Sequence, residues 1–220
     1  ILPPEKIGRY LQEAEKYGVL PMFYLELSSG LRRGELLALQ WTDLNVKERI
    51  LTVNKQVTRM EGELDVTEPK TKNSVRKVAL SQQAVDLLVQ EHEQHPDNPI
   101  LFPSPRTGGY WSPDAVSRIN RKLLKSAGIE EHVRFHDLRH TFATMAISSG
   151  VDVKTLSSML GHFSAGFTLD TYTHITNDMQ RGAAEKIGGF MESVTATNTP
   201  EPPGPPEENR CKVIPFEKVG

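Results

Sequence analysis

Apolar residues recur at helical spacing along most of the first 190 residues, and a two-residue alternation replaces that spacing once, between residues 50 and 80. Near the amino terminus, for example, Ile7, Tyr10 and Leu11 mark one face of an amphipathic helix. A chain that changes periodicity in this way has to combine several packed helices with one short β region. We therefore expect a mainly α fold with a small three-stranded antiparallel β-sheet.

The strands of that sheet are predicted at residues 50–53, 64–67 and 75–80. The first segment is rich in β-branched residues, and the other two alternate in polarity. Residues 69–74 contain proline, asparagine and serine, which suit a hairpin connection between the last two strands. Residues 41–45 are interpreted as a turn.

Glycine and capping residues divide the rest of the chain into helices. Glycines are expected to end helices, and Ser81 and Asp152 are expected to cap helix starts. The predicted helices cover approximately residues 3–17, 21–28, the second half of 31–39, a segment after 81, 112–127, 135–149, 152–160, 167–174 and 177–191.

Composition limits the domain organisation and the setting of the protein. Residues 1–192 are expected to form one domain, and residues 193–220 a Pro- and Glu-rich tail that is flexible or docks on a neighbouring subunit. Because the chain begins at Ile1 without a methionine, we expect a fragment or a processed product. No apolar stretch approaches the roughly 18 residues of a membrane span. The single cysteine, Cys211, excludes an internal disulfide and a multi-cysteine metal site, and favours a reducing cytoplasmic setting.

The net charge of −2 does not by itself predict a polyanion partner. Five acidic and three basic residues follow residue 190, which leaves 23 of each sign before it. Affinity for phosphate depends on where the charges lie rather than on their sum. A basic face is compatible with this balance, but other domains or subunits are then expected to add affinity for nucleic acid.

Two segments place cations where an ordinary helix would not need them. Arg32, in Gly-Leu-Arg-Arg-Gly-Glu-Leu, stands at a helix start, where its guanidinium can offer a fork of donors to a phosphate. The alternative is a simple ion pair with Glu35. His136, Arg139 and His140 lie at i, i+3 and i+4 and so share one helix face. Such a face is costly unless it meets anions or water.

Three further segments are polar in a less specific way. Lys70 and Lys72 lie in the turn Pro-Lys-Thr-Lys-Asn-Ser, where a flexible lysine can reach a ligand. His162 follows Leu-Gly, and Tyr172 stands in Asp-Thr-Tyr-Thr-His. Taken singly, each segment is more typical of an ordinary solvated surface than of a functional site.

The order of the five segments is far more specific than any of them alone. An arginine, a hairpin lysine, His-x-x-Arg, Gly-His and a tyrosine ten residues later follow one another as in the tyrosine recombinases. From about residue 1 to about residue 191 the chain resembles the catalytic domain of that family. It looks most like integrases of bacteriophages and integrative conjugative elements of Gram-positive bacteria. The resemblance implies the catalytic-domain fold of the family and site-specific DNA recombination, with integration or excision of a prophage or mobile element.

The resemblance also implies roles for the residues of these segments. Tyr172 would be the nucleophile that forms a covalent phosphotyrosine intermediate, Arg32 and Arg139 would clamp the scissile phosphate, and His136 and His162 would hydrogen-bond it or move protons. A lysine would protonate the leaving 5′ oxygen. Lys70 is the first choice and Lys72 the alternative, whereas His140 would support the site.

Further implications concern partners. The resemblance implies a homotetramer on double-stranded DNA attachment sites, in the bacterial cytoplasm and on the nucleoid, without a metal or cofactor and without a membrane. A core-binding domain, and by extension an arm-binding domain, would lie outside this chain. An excision or directionality factor is a further expected partner.

Three other interpretations remain in view. His136-Asp137-Leu138-Arg139-His140 is similar to the zinc-binding His-Glu-x-x-His of metalloproteases, with His162 or His174 as a third ligand. A non-catalytic DNA-binding protein is a second alternative, although every expected active-site position is occupied. A type IB topoisomerase would use the same chemistry.

Overall fold

The computed structural model describes residues 1–60, 62–68, 75–161 and 181–195. The described residues up to Gly161 belong to one compact unit, and residues 181–195 form helix α8 in a second. The helices of the first unit are α1 (Pro4–Lys16), α2 (Leu20–Ser29), α3 (Arg33–Ala38), α4 (Gln82–Glu93), α5 (Pro113–Ser126), α6 (Phe135–Ser148) and α7 (Val153–Leu160). Its strands are β1 (Leu44–Asn45), β2 (Ile50–Val53), β3 (Gln56–Met60), β4 (Glu63–Thr67) and β5 (Arg76–Ala79).

The helices predicted up to residue 161 are confirmed, together with the caps that define two of them. The side chain of Ser81 accepts a hydrogen bond from the Ala84 N–H at 3.2 Å, and Asp152 accepts one from the Thr155 N–H at 2.9 Å. Helix α8 continues past the predicted end at residue 191. The predicted helical turns at 167–174, and most of the tail at 193–220, lie outside the described residues.

The mainly α fold with a small antiparallel sheet is confirmed, but the predicted strand pairing is wrong. The three-stranded sheet has the order β1-β2-β5, and β4 pairs instead with β3 in a separate hairpin. Gly62 has a φ of 94°, a conformation that permits a tight turn. The connection between the two strands is so short that Met60 pairs with Glu63. The interpretation of residues 41–45 as a turn is corrected as well, since Leu44–Asn45 pairs with β2 after one 3-10 turn.

Helix α2 lies at the centre of the helical layer and packs against α1, α4 and α6. The ring of Phe23 on α2 makes edge contacts with Tyr10 on α1 and Phe135 on α6, with ring centroids 5.9 and 5.8 Å apart. The Tyr10 hydroxyl also donates to Asn120 Oδ1 on α5 at 2.6 Å. This packing fixes the end of α2, and the loop that follows it, beside α6.

The described part of the chain contains no helix of the length and apolar character that a membrane crossing requires.

One carboxyl group, that of Glu26 on α2, lies inside this core and is fully buried. Neither of its oxygens has a hydrogen-bond partner in the described part of the chain. Burial raises the pKa of Glu26 well above the ordinary 4.5. Glu35 on α3 adds to this rise, while Arg139 on α6 and Arg76 on β5 oppose it. Burial also raises the pKa of Tyr10 on α1 above its ordinary value, and the nearby Glu26 carboxyl group adds to this rise.

We expect the stability of the protein to depend on pH through Glu26. When folding raises the pKa of a carboxyl group, the group makes its full contribution to stability at pH values below its pKa in the unfolded chain. This contribution is lost as the pH rises towards the pKa of the group in the folded protein. The free energy of unfolding of wild type, relative to Glu26→Gln, should therefore fall above pH 4.5. Its slope is at most about 1.4 kcal/mol per pH unit. Urea titrations of both proteins at several pH values measure this difference in the free energy of unfolding. A difference that does not change with pH would contradict the prediction.

Candidate functional site

Three arginines from different parts of the chain meet at the carboxyl end of α7. Arg76 Nε donates to the Met159 carbonyl at 2.6 Å, and Arg139 Nη2 donates to that of Leu160 at 2.7 Å. Arg32 Nη2 donates to the Gly161 carbonyl at 3.1 Å. The last carbonyls of a helix have no partner within it and form the negative end of its dipole, so cations are favoured there.

Arg32 directly precedes α3 and keeps part of its guanidinium in solvent. Its backbone N–H and its Nη1 each donate to the Glu35 carboxylate at 2.8 Å. The ion pair considered as an alternative in the sequence is therefore present, but the guanidinium also reaches Gly161 and its side chain remains 38% exposed. Arg32 can thus face a ligand while two protein groups hold it.

Arg139 on α6 is buried, and its guanidinium donates to two backbone carbonyls. Nη1 bonds to Gly30 at 2.6 Å and Nη2 to Leu160 at 2.7 Å. Burial, together with the nearby charge of Arg32, lowers the pKa of Arg139 from 12.5 to about 10. The group still remains protonated at neutral pH.

Two glycines make this arrangement possible. Gly30 and Gly161 follow α2 and α7 with φ of 60° and 65°, a left-handed conformation that turns the chain away from the helix axis. A Cβ on Gly30 would lie 2.3 Å from Cδ1 of Phe142 on α6. The close approach of α2 and α6 at this point brings the residues around Arg32 and Arg139 to the same helix end.

The two histidines of α6 lie together, as their spacing predicts. The rings of His136 and His140 are 5.0 Å apart and nearly perpendicular. Burial lowers the pKa of both imidazoles, with further lowering of the His136 pKa by His140 and Arg139, and of the His140 pKa by Arg139. A neutral imidazole can donate one hydrogen bond and accept another, which suits proton transfer.

The balance of charge makes this site suitable for an anion. The carboxylate of Glu35 accepts hydrogen bonds from both Arg32 and Arg76. Burial would raise the pKa of Glu35, but its bonds and charge attraction to Arg76, and its bonds to Arg32, hold it below the ordinary value. Glu26 is favoured in its neutral form. The three guanidinium groups therefore outnumber the carboxylates beside them, and the described cluster is net positive.

The remaining predicted site residues, Lys70, Lys72, His162 and Tyr172, lie outside the described residues. In the first unit, the last described residue is Gly161, one residue before His162. Among the residues that are described, no group of three or more histidine, cysteine, aspartate or glutamate side chains could hold a metal ion.

Sequence reasoning missed Arg76 and gave Glu35 no place in the site. One signal for Arg76 was available. It occupies the same face of β5 as Val78, and both are buried, whereas Lys77 and Ala79 are exposed. A basic residue on the buried face of a short strand indicates a buried ion pair.

Comparison of the sequence with those of known proteins identifies the family of this chain. The sequence model of the phage integrase family matches residues 2–179. The ICEBs1 integrase of Bacillus subtilis is 32% identical over 174 residues, which cover 74% of this chain and 46% of that protein. A XerC-like tyrosine recombinase of Caldanaerobacter subterraneus is 29% identical and covers 85% and 53%. The chain thus spans about half the length of these curated relatives.

Solved structures agree with this assignment at the level of the fold. The Tn1549 transposon integrase in complex with circular intermediate DNA superposes with a TM-score of 0.73 at 23% identity, over 84% of this chain and 66% of that one. The XerA recombinase superposes with a TM-score of 0.67 at 26% identity, over 83% and 62%. The predicted catalytic-domain fold is confirmed, and the chain belongs to the phage integrase family of tyrosine recombinases.

Proposed function

We propose that this chain is the catalytic domain of a site-specific DNA recombinase that integrates or excises a mobile element or prophage. It cleaves and rejoins DNA through a 3′-phosphotyrosyl bond to Tyr172. The observation that carries the proposal is the convergence of Arg32 and Arg139 at the end of α7. His162 is the next residue after that end, and Tyr172 follows ten residues later.

The chemistry explains why two fixed guanidinium groups are needed. The phenolic oxygen attacks phosphorus, the bond from phosphorus to the 5′ oxygen breaks, and negative charge accumulates on the non-bridging oxygens. Cations that are held in place before the reaction stabilise this charge without reorganising. Arg32 and Arg139 are held by Glu35 and by helix-end carbonyls, which leaves their charge available to the phosphate.

Protons move in both directions during this step. A free phenol has a pKa of about 10, so its proton has to leave as it attacks. A neutral imidazole can accept it, and His136 and His162 are proposed for this role and for binding the phosphate, with His140 in support. The leaving 5′ oxygen takes a proton from Lys70, with Lys72 as the alternative. The covalent bond conserves the energy of the broken one, so that rejoining requires neither a metal nor a cofactor.

The surroundings of the site support a DNA partner. A cavity of about 810 Å³ extends from His136 and is lined by Arg33, Arg121, Lys125 and Arg134, along with two glutamates. Basic side chains grouped in this way fit the phosphates of a DNA backbone. The structures of the Tn1549 integrase, which has the same fold, contain DNA.

The assembly is part of the same proposal. We infer a homotetramer on two attachment sites in the bacterial cytoplasm, with core-binding and arm-binding domains outside this chain and with a directionality factor. Residues 193–220 are proposed to dock on a neighbouring subunit. Comparing the size of the DNA complex with and without this tail tests the docking, and an unchanged size would argue against it.

Loss of either clamp arginine should slow cleavage strongly. We expect Arg32→Ala and Arg139→Ala each to lower the rate of single-turnover cleavage on a nicked suicide substrate by on the order of 10²-fold or more. Arg106→Ala removes an exposed loop arginine and serves as the matched control, which should cleave at the wild-type rate. Wild-type cleavage by either clamp variant would rule out the phosphate-clamp role.

The covalent intermediate should form on Tyr172 alone. Wild type incubated with a suicide substrate in EDTA should give a protein–DNA adduct, and peptide mass spectrometry should map the modification to Tyr172. Tyr172→Phe removes one oxygen atom and should give no adduct. An adduct at another residue, or dependence on a metal, would be incompatible with the mechanism.

The catalytic lysine can be identified through the leaving group. A substrate with sulfur in place of the bridging 5′ oxygen departs as a weakly basic thiolate that needs little protonation. We expect Lys70→Ala to cleave the ordinary substrate more slowly than wild type, by roughly 10²-fold or more. With the sulfur substrate, the variant should regain most of the wild-type rate. Rescue of Lys72→Ala instead would assign the role to Lys72, and rescue of neither would exclude a lysine acid in this turn.

A further inference from the structure

We propose that Arg76 is a positioning residue of this site, whose buried guanidinium holds Glu35 and Gly161 in place and through them orients Arg32. This inference rests on the proposed function, since it concerns the same phosphate clamp. Arg76 is not assigned a contact with the reacting atoms and is therefore not a catalytic residue.

The contacts of Arg76 connect three separate elements. Nη1 and Nη2 donate to the two oxygens of Glu35 on α3, at 3.0 and 2.8 Å. Nε donates to the Met159 carbonyl on α7 at 2.6 Å, and the residue itself begins β5. Its side chain is only 6% exposed. A forked, bidentate pair of this kind fixes the direction of a carboxylate as well as its charge.

Glu35 transmits this constraint to Arg32. The same carboxylate that Arg76 holds from one side accepts the backbone N–H and Nη1 of Arg32 from the other, both at 2.8 Å. Because Glu35 is buried, removal of Arg76 would take away the principal group that keeps the pKa of Glu35 low. The carboxylate would then be a weaker and less well oriented acceptor for Arg32.

Arg76 also contacts Gly161, the second residue that holds Arg32. A Cβ on Gly161 would lie 3.0 Å from Cδ and 3.1 Å from Nη1 of Arg76, so the side chain packs directly against the glycine backbone. The Gly161 carbonyl accepts the hydrogen bond from Arg32 Nη2. The two groups that hold the Arg32 guanidinium are thus both in contact with Arg76.

A lysine could not reproduce this arrangement. The three N–H groups of Arg76 act in two directions at once, towards a carboxylate and towards a carbonyl, and they do so from one rigid plane. Arg76→Lys keeps the buried positive charge but loses the fork. The substitution therefore tests whether Arg76 acts by orienting the Glu35 carboxylate or only by balancing its charge.

The charge of the substrate distinguishes positioning of the clamp from a general structural role. In a methylphosphonate substrate, a methyl group replaces one non-bridging oxygen, so the scissile group is neutral before attack and carries one negative charge fewer in the transition state than a phosphate does. A defect that acts through Arg32 should then shrink. A defect caused by general loosening of the fold should be the same for both substrates.

The experiment compares single-turnover cleavage of phosphate and methylphosphonate suicide substrates by the 220-residue chain. On the phosphate, we expect Arg76→Lys to be slower than wild type by on the order of 10- to 10²-fold, as for a misplaced catalytic group. On the methylphosphonate, the variant should come within about threefold of wild type, as Arg32→Ala also should. Arg106→Lys is the matched control and should equal wild type on both substrates.

A second variant keeps the test decisive if Arg76→Lys does not fold. Glu35→Gln removes the charge of the bridge and should show the same dependence on the substrate. Where both variants fold, the double variant should be no slower than the slower single variant, because both act through one contact. Equal defects on both substrates would overturn the inference, as would wild-type cleavage of the phosphate by Arg76→Lys. Absence of any covalent adduct with wild type would instead overturn the proposed function.

Discussion

Three guanidinium groups share the carboxyl end of one short helix, and the rest of the site depends on this interaction. Arg76, Arg139 and Arg32 donate to the consecutive carbonyls of residues 159, 160 and 161. Like charges brought so close together repel, and burial adds a further cost. The partial negative charge of the helix end and the single carboxylate of Glu35 offset these costs without cancelling the positive charge. Under the proposed function, a DNA phosphate supplies the remaining negative charge.

The fold can be understood as the scaffold that brings these groups to one point. Helix α2 packs between α1, α4 and α6. At its end, the Gly30 carbonyl accepts a hydrogen bond from Arg139, and Arg32 follows two residues later. Strand β5 delivers Arg76 from the opposite side. The histidines of α6 lie one turn apart beside the buried arginine, in an environment that favours their neutral form. The three arginines therefore come from different parts of the fold, and no single segment carries the site alone.

Much of this arrangement was visible in the sequence, and the parts that were not have a common physical reason. Helix ends at glycine and the i, i+4 placement of His136 and His140 are local properties, so residue spacing predicts them. The partner of β4 and the ion pair between Arg76 and Glu35 join distant residues. Alternation shows which face of a strand is buried but not which strand pairs with it. The pattern placed Arg76 in a strand, yet its partner on α3 could be known only from the fold.

The acceptors at the end of α7 are backbone atoms, and this has a consequence for how the family can diverge. The exposed side chains of that helix, Lys154, Thr155 and Ser158, can change without altering the groups that hold the three arginines, provided that the helix ends at the same place. A change in its length is a different matter. One inserted residue would turn the helix end by about 100° and advance it by about 1.5 Å. Selection should therefore preserve the length of this segment more strictly than its composition.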